Sequence, residues 1–201
     1  MIITIIDTDL GTLHVLSRYL ERLGHDVQAA TSAEGALTNL SPFTDLVITA
    51  VTEDVDGFGF ADTIAHALGT SPPRTLIMPG EDCSAQLEKS SPAVILGALQ
   101  KPFSLETLHA ILDVIEKTRT RCPGRVLPNV TGCRIPRSIS TDSDHGESLC
   151  NTPDYATCAV YERRCGRRLR DWITMTAERA FIEPMLRRSL TTRNPADPAG
   201  V

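Results

Sequence analysis

The stretch Ile2-Ile3-Thr4-Ile5-Ile6-Asp7-Thr8-Asp9 is short, β-branched and apolar nearly throughout, then ends in two acids flanking a threonine. It reads as a strand covered on both faces, since a half-exposed strand would alternate apolar with polar residues. Outward from it the pattern repeats. Leu13, Leu16, Leu20 and Leu23 share one helical stripe, Arg18, Glu21 and Arg22 lie off it, and Gly24 is placed to stop the helix. Val27-Gln28-Ala29-Ala30 reads as a second strand. Thr31-Ser32-Ala33-Glu34 has the spacing of a capping box, opening a helix through Ala36, Leu37 and Leu40. Asp45-Leu46-Val47-Ile48-Thr49-Ala50 is the third strand, and Asp56-Gly57 marks a turn before a helix carrying Phe60, Ile64 and Leu68. Thr75-Leu76-Ile77-Met78 and Ile95-Leu96-Gly97-Ala98-Leu99 are strands four and five, with a short helix over residues 81–89 between them. Ser104 caps a last helix with Leu105, Leu108, Leu112 and Ile115 at helical spacing.

Five strands separated by helices predict an α/β domain over residues 1–118, a doubly wound five-stranded parallel sheet of flavodoxin-like type. Functional groups in such sheets gather at the carboxyl ends of the strands. Here those positions hold Asp7, Thr8 and Asp9, then Ala50, then Pro79, then Lys101-Pro102-Phe103. Charge divides the chain at the end of this domain. Residues 1–118 carry 6 basic and 16 acidic side chains, whereas residues 119–201 carry 14 basic, all arginine, and 9 acidic. No run approaches the roughly 20 apolar residues of a membrane span, and no signal peptide pattern opens the chain. The expected location is cytoplasmic.

Residues 1–118 resemble the receiver domain of bacterial two-component response regulators. The resemblance lies in Asp45-Leu46-Val47-Ile48, Asp56-Gly57, the helical segment 16–25, and Lys101-Pro102-Phe103 followed by Ser-Leu-Glu-Thr-Leu. It implies a domain that phosphorylates itself on an aspartate with the help of Mg²⁺, a hard cation that takes several carboxylate oxygens. The family places two adjacent acids after strand one and an acceptor aspartate at the end of strand three. It adds a Ser/Thr after strand four and a lysine after strand five. In this chain Asp7 and Lys101 match, but Thr8 stands at the second acidic position, Ala50 at the acceptor and Pro79 at the hydroxyl position. Ala98 falls where many members carry an aromatic switch residue, and the loop from Val51 to Gly57 is one residue shorter than the family's usual spacing. Alanine cannot accept a phosphoryl group.

The resemblance with these departures implies a pseudo-receiver. It would be a non-enzymatic regulator acting by protein–protein contact, without aspartyl phosphorylation and without a cofactor, apart from a weak Mg²⁺ site at Asp7. Partners of the family's kind are a histidine kinase, another response regulator or a second copy, met through the faces around strands four and five and the last helix. Lys101 is expected to form a structural ion pair with Asp7, and the Lys101–Pro102 bond to be cis. Asp9, Glu53, Asp54 and Asp56 read as solvated loop acids.

The second part of the chain is less legible. Residues 119–161 read as linker by composition, residues 162–190 as an amphipathic helical segment, and residues 191–201 as a fraying tail. The helical stripe is Leu169, Trp172, Ile173, Ala177, Ala180, Phe181, Met185 and Leu190, with Pro184 placed to kink it. Arg163, Arg164, Arg167, Arg168 and Arg170 form the densest basic cluster. This is either a phosphate-binding patch for nucleic acid, making the chain a transcriptional regulator, or a helix start docking on the acidic receiver. The segment Ala177 to Glu183 faintly resembles the first helix of Fis-type domains, but no helix-turn-helix follows. The stretch from Ile95 to Leu105 also resembles receivers joined to EAL-type cyclic-dinucleotide phosphodiesterases, which would make the chain an orphaned receiver part, although no Glu-Ala-Leu motif occurs. Cys122, Cys133, Cys150, Cys158 and Cys165, with Cys83 in the first part, form no C-x-x-C pair, so free thiols are expected rather than a zinc site with His145.

Overall fold

The structure is a computed structural model that describes residues 1–68, 72–119 and 166–176. Strands and helices alternate through the first part. They are β1 (Ile2–Ile6), α1 (Leu10–Arg22), β2 (Asp26–Ala30), α2 (Ala33–Asn39), β3 (Leu46–Val51), α3 (Gly57–Leu68), β4 (Arg74–Pro79), α4 (Ser84–Lys89), β5 (Ile95–Ala98) and α5 (Leu105–Lys117). A further helix, α6, covers residues 166–176. The five strands pair in parallel in the order β2-β1-β3-β4-β5. Parallel neighbours need a crossover connection, so the helices fall on both faces of the sheet, as the sequence predicts.

Strand alternation sorts the core. Ile3, Ile5, Leu46, Ile48, Leu76 and Met78 pack on one face with Leu16 and Leu20 of α1 and Ile111 and Ile115 of α5. On the other face Ile6 and Val47 meet Phe60 and Ile64 of α3, while Ile77 and Ala98 meet Ala61 and Leu87. Each fully buried aliphatic contributes about 1.5–3 kcal/mol before the entropy of ordering it is subtracted.

Local details correct the expected boundaries. Helix α2 is capped by Ser32, whose Oγ accepts from Gly35 N–H at 3.1 Å, not by Thr31 with Glu34 as the capping-box spacing suggested. Gly24 ends α1 in the left-handed region at φ 84°. Its N–H bonds to Glu21 O and that of His25 to Leu20 O, the two bonds that close a helix on a glycine. β3 runs from Leu46 to Val51, one residue later at each end than expected. Asp45 before it bonds to β1, its N–H donating to Ile2 O at 2.9 Å and its carboxylate accepting from Ile2 N–H at 2.8 Å and from Arg119 at 2.9 Å.

Of the segment expected to be helical at 162–190, α6 is the described portion, and its Leu169, Trp172 and Ile173 join the core cluster beside α1 and α5. The expected linker beyond Arg119, the remainder of the amphipathic stripe with Pro184, and the tail lie outside the described residues. No helix among the described residues is long and apolar enough to cross a membrane.

Candidate functional site

The carboxyl edge of the sheet collects the residues singled out in the sequence. Asp7 directly follows β1 and is 1% exposed. Its Oδ1 accepts the Asp9 N–H at 3.1 Å, and its Oδ2 is held by the Lys101 ammonium. Lys101 arrives from the loop after β5, where its N–H donates to Pro79 O at 2.9 Å and the Lys101–Pro102 bond is cis. The expected ion pair and the expected cis bond are both present.

Ala50 lies inside β3, fully buried. Leu46 and Ile48 face the same core as Ile3 and Ile5, so strand alternation places Ala50 on the face of the sheet that Asp7 shares. The next element packs against the backbone of β3 from the opposite face. A Cβ added to Gly57, the first residue of α3, would lie 2.6 Å from Ala50 O and 2.9 Å from Thr49 Cγ2. The short loop is drawn tight by Thr52 N–H to Val55 O at 3.0 Å and by Val55 N–H to Thr52 Oγ1 at 3.1 Å. Glu53 and Asp54 sit exposed at its tip. Pro79 ends β4 beside Val51, and Thr8 is exposed.

The acids around Asp7 have local duties. Asp9 caps α1, accepting from the N–H groups of Gly11 and Thr12 and from the Thr12 hydroxyl at 2.6 Å. The Thr12 hydroxyl foremost, with those two N–H groups, holds its carboxyl below the usual range. Asp56 accepts the Gly59 N–H at 2.9 Å at the start of α3, and Asp82 accepts from Ser84, whose hydroxyl lowers the Asp82 pKa. The donors left for a divalent cation thus reduce to Asp7, one of whose oxygens already carries a cation. This set does not fit Mg²⁺, and among the described residues no cluster of three or more His, Cys, Asp or Glu could hold a metal.

The basic cluster divides. Arg163 and Arg164 lie outside the described residues, and Arg167 and Arg168 are exposed on α6. Arg170 turns the other way, 5% exposed, and donates to Leu87 O, to Ser90 O at 3.0 Å and to Ile95 O at 2.7 Å and 3.1 Å. It therefore belongs to a seam between α4 and β5, not to an outward phosphate-binding surface. Of the two readings of the cluster, docking on the receiver is the one in which Arg170 takes part. Sequence reading missed Gly97, whose bare backbone receives Ile173 in that seam. A glycine inside a strand was the available signal.

No protein-family model matches the chain, and no curated protein sequence matches it. Solved structures do. A two-component response regulator from Clostridium difficile aligns at TM-score 0.52 and 24% identity over 59% of this chain and 97% of its own. The Vibrio cholerae chemotaxis protein CheY4 aligns at TM-score 0.51 and 24% identity over 57% and 97%. The HemR receiver domain from Leptospira biflexa aligns at TM-score 0.51 and 21% identity over 57% and 92%. At this identity the likeness speaks to the fold, and the first part of the chain has the five-stranded fold of response-regulator receiver domains.

Proposed function

We propose that residues 1–118 form a regulatory module of two-component type that works by protein–protein contact and does not pass a phosphoryl group through an aspartate. The partner is another signalling protein of the histidine-kinase or response-regulator class. The observation that carries this reading is Ala50, fully buried at the end of β3 on the face of the sheet that Asp7 shares. No nucleophile stands there, and the acid beside it is neutralised by Lys101. Phosphoryl transfer to a carboxylate needs an exposed oxygen nucleophile with its charge compensated by metal, and neither requirement is met by these side chains.

The test is incubation of the full chain with acetyl phosphate and Mg²⁺, read by intact mass and peptide mapping. The expected result is no stable phosphoryl adduct on Asp7, Glu53 or Asp54. A stable adduct on any of these, lost when that residue is changed to Asn or Gln, overturns the proposal.

A further inference from the structure

The carboxyl edge carries a buried acid whose charge must be met, and the chain meets it from within. Asp7 is 1% exposed, and its backbone N–H donates to Ala30 O at 3.2 Å, which fixes the residue at the ends of β1 and β2. A carboxylate at that depth is costly unless a cation and hydrogen-bond donors satisfy it. The donors here are the Asp9 N–H at 3.1 Å and the Lys101 ammonium. Lys101 is itself anchored by its N–H on Pro79 O, so the ammonium is delivered from the far side of the sheet edge.

No second carboxylate shares this place. The buried side chain of Ala50 offers only carbon, both oxygens of Asp9 are taken by the first turn of α1, and Glu53 and Asp54 are exposed on their loop. Asp7 and Lys101 therefore sum to zero charge. A divalent cation arriving at Asp7 must sit beside an ammonium or displace one whose side chain is about three-quarters buried. Either way it gains one carboxylate, where a hard cation takes several oxygens. A ligand shifts an equilibrium only by the difference in its affinity for two states, and a divalent metal has no such difference to exert on a pair closed on itself. We propose that Lys101 is the resident cation of the carboxyl edge, replacing a divalent metal at Asp7 and leaving this edge in one state that does not respond to metal. The inference rests on the proposed function, in which this edge passes no phosphoryl group, yet the two fail separately. A phosphoryl adduct tests one, and a response to metal tests the other.

The full chain is melted in EDTA and in millimolar magnesium, calcium or manganese chloride at matched ionic strength, and its amide NMR spectrum is recorded with submillimolar Mn²⁺. A cation that binds the fold raises its midpoint by mass action. The expected result is coincident midpoints and no selective broadening at Asp7, Thr8 or Asp9. A midpoint raised by metal in the parent chain and not in Asp7→Asn overturns the proposal. So does Mn²⁺ broadening centred on those three residues, a readout that needs no variant to fold. Lys101→Ala supplies the second arm. Its midpoint should fall, and ethylammonium chloride should recover part of the loss where equal tetramethylammonium chloride, which has no N–H to donate, does not. A Lys101→Ala chain as stable as the parent overturns the proposal, as does a recovery no better with ethylammonium than with tetramethylammonium.

Discussion

Lys101 and Arg170 each tie a late part of the chain onto the sheet, at different edges and by different chemistry. At the carboxyl edge a lysine, a compact point charge, meets the buried carboxylate of Asp7. At the β5 flank the planar fork of an arginine is shared among three backbone carbonyls from α4, its following turn and β5. The first arrangement needs one opposite charge and tolerates the loss of everything around it. The pair stands with Thr8, Ala50 and Pro79 at the neighbouring strand ends, none of which adds a charge to it. The second needs a particular backbone geometry and a particular helical phase, so it specifies which segment docks. One seam is held by charge, and the other by the geometry of backbone carbonyls.

The largest effect is expected from breaking the first seam. Asp7→Ala leaves Lys101, whose side chain is about three-quarters buried, without its partner, and should lower stability by about 3 kcal/mol, read as a lower urea midpoint at unchanged slope. The double change Asp7→Ala with Lys101→Met should cost clearly less than the single one, because no uncompensated charge then remains. If the double variant is as unstable as Asp7→Ala, the pair is not what closes this edge.

A smaller loss is expected where Gly57 meets the backbone of β3. Gly57→Ala would place a Cβ 2.6 Å from a backbone carbonyl oxygen, which cannot swing away as a flexible side chain would. The start of α3 must shift, at about 2 kcal/mol by analogy with other overpacked core sites. Because Trp172 packs with the α1 and α5 cluster and α3 packs on the other face of the sheet, Trp172 emission should not change with Gly57→Ala, and a change would mean that the two seams are coupled.

The same contrast explains what the sequence made legible. The order of elements follows from periodicity. The place of Ala50 at the end of β3 could be read because Asp45-Leu46-Val47-Ile48 pins the register of the strand, and a one-residue slip would turn the whole strand inside out. The pair of Lys101 with Asp7 followed from the resemblance to receiver domains, whose pattern those two positions match. The second seam depends on helical phase. Arg167, Arg168 and Arg170 look like one patch when written in a line, yet at 100° per residue Arg170 shares the flank of Leu169 and Ile173, while Arg167 and Arg168 are exposed. Gly97 signalled a close approach to β5 without naming what approaches, since a contact between residues about 76 apart leaves no local pattern.

The smallest effect separates the two acids of the first seam. Asp7 is buried against Lys101, whereas Asp9 is exposed and caps α1. The Thr12 hydroxyl and the N–H groups of Gly11 and Thr12 favour the ionised form of Asp9, so its folded pKa lies below its unfolded value. Its contribution is therefore fully present above the ordinary aspartate pKa, near 4, and is lost as pH falls through the depressed folded value. Asp9→Ser keeps a hydroxyl acceptor for the same N–H groups but cannot titrate. Between pH 5 and pH 2.5 the stability difference between the parent chain and Asp9→Ser should shrink, and at neutral pH it should be smaller than the loss in Gly57→Ala. A difference that does not vary over that range would mean that the capping carboxylate is not favoured by the fold, and the two acids would then no longer be distinguishable by their roles.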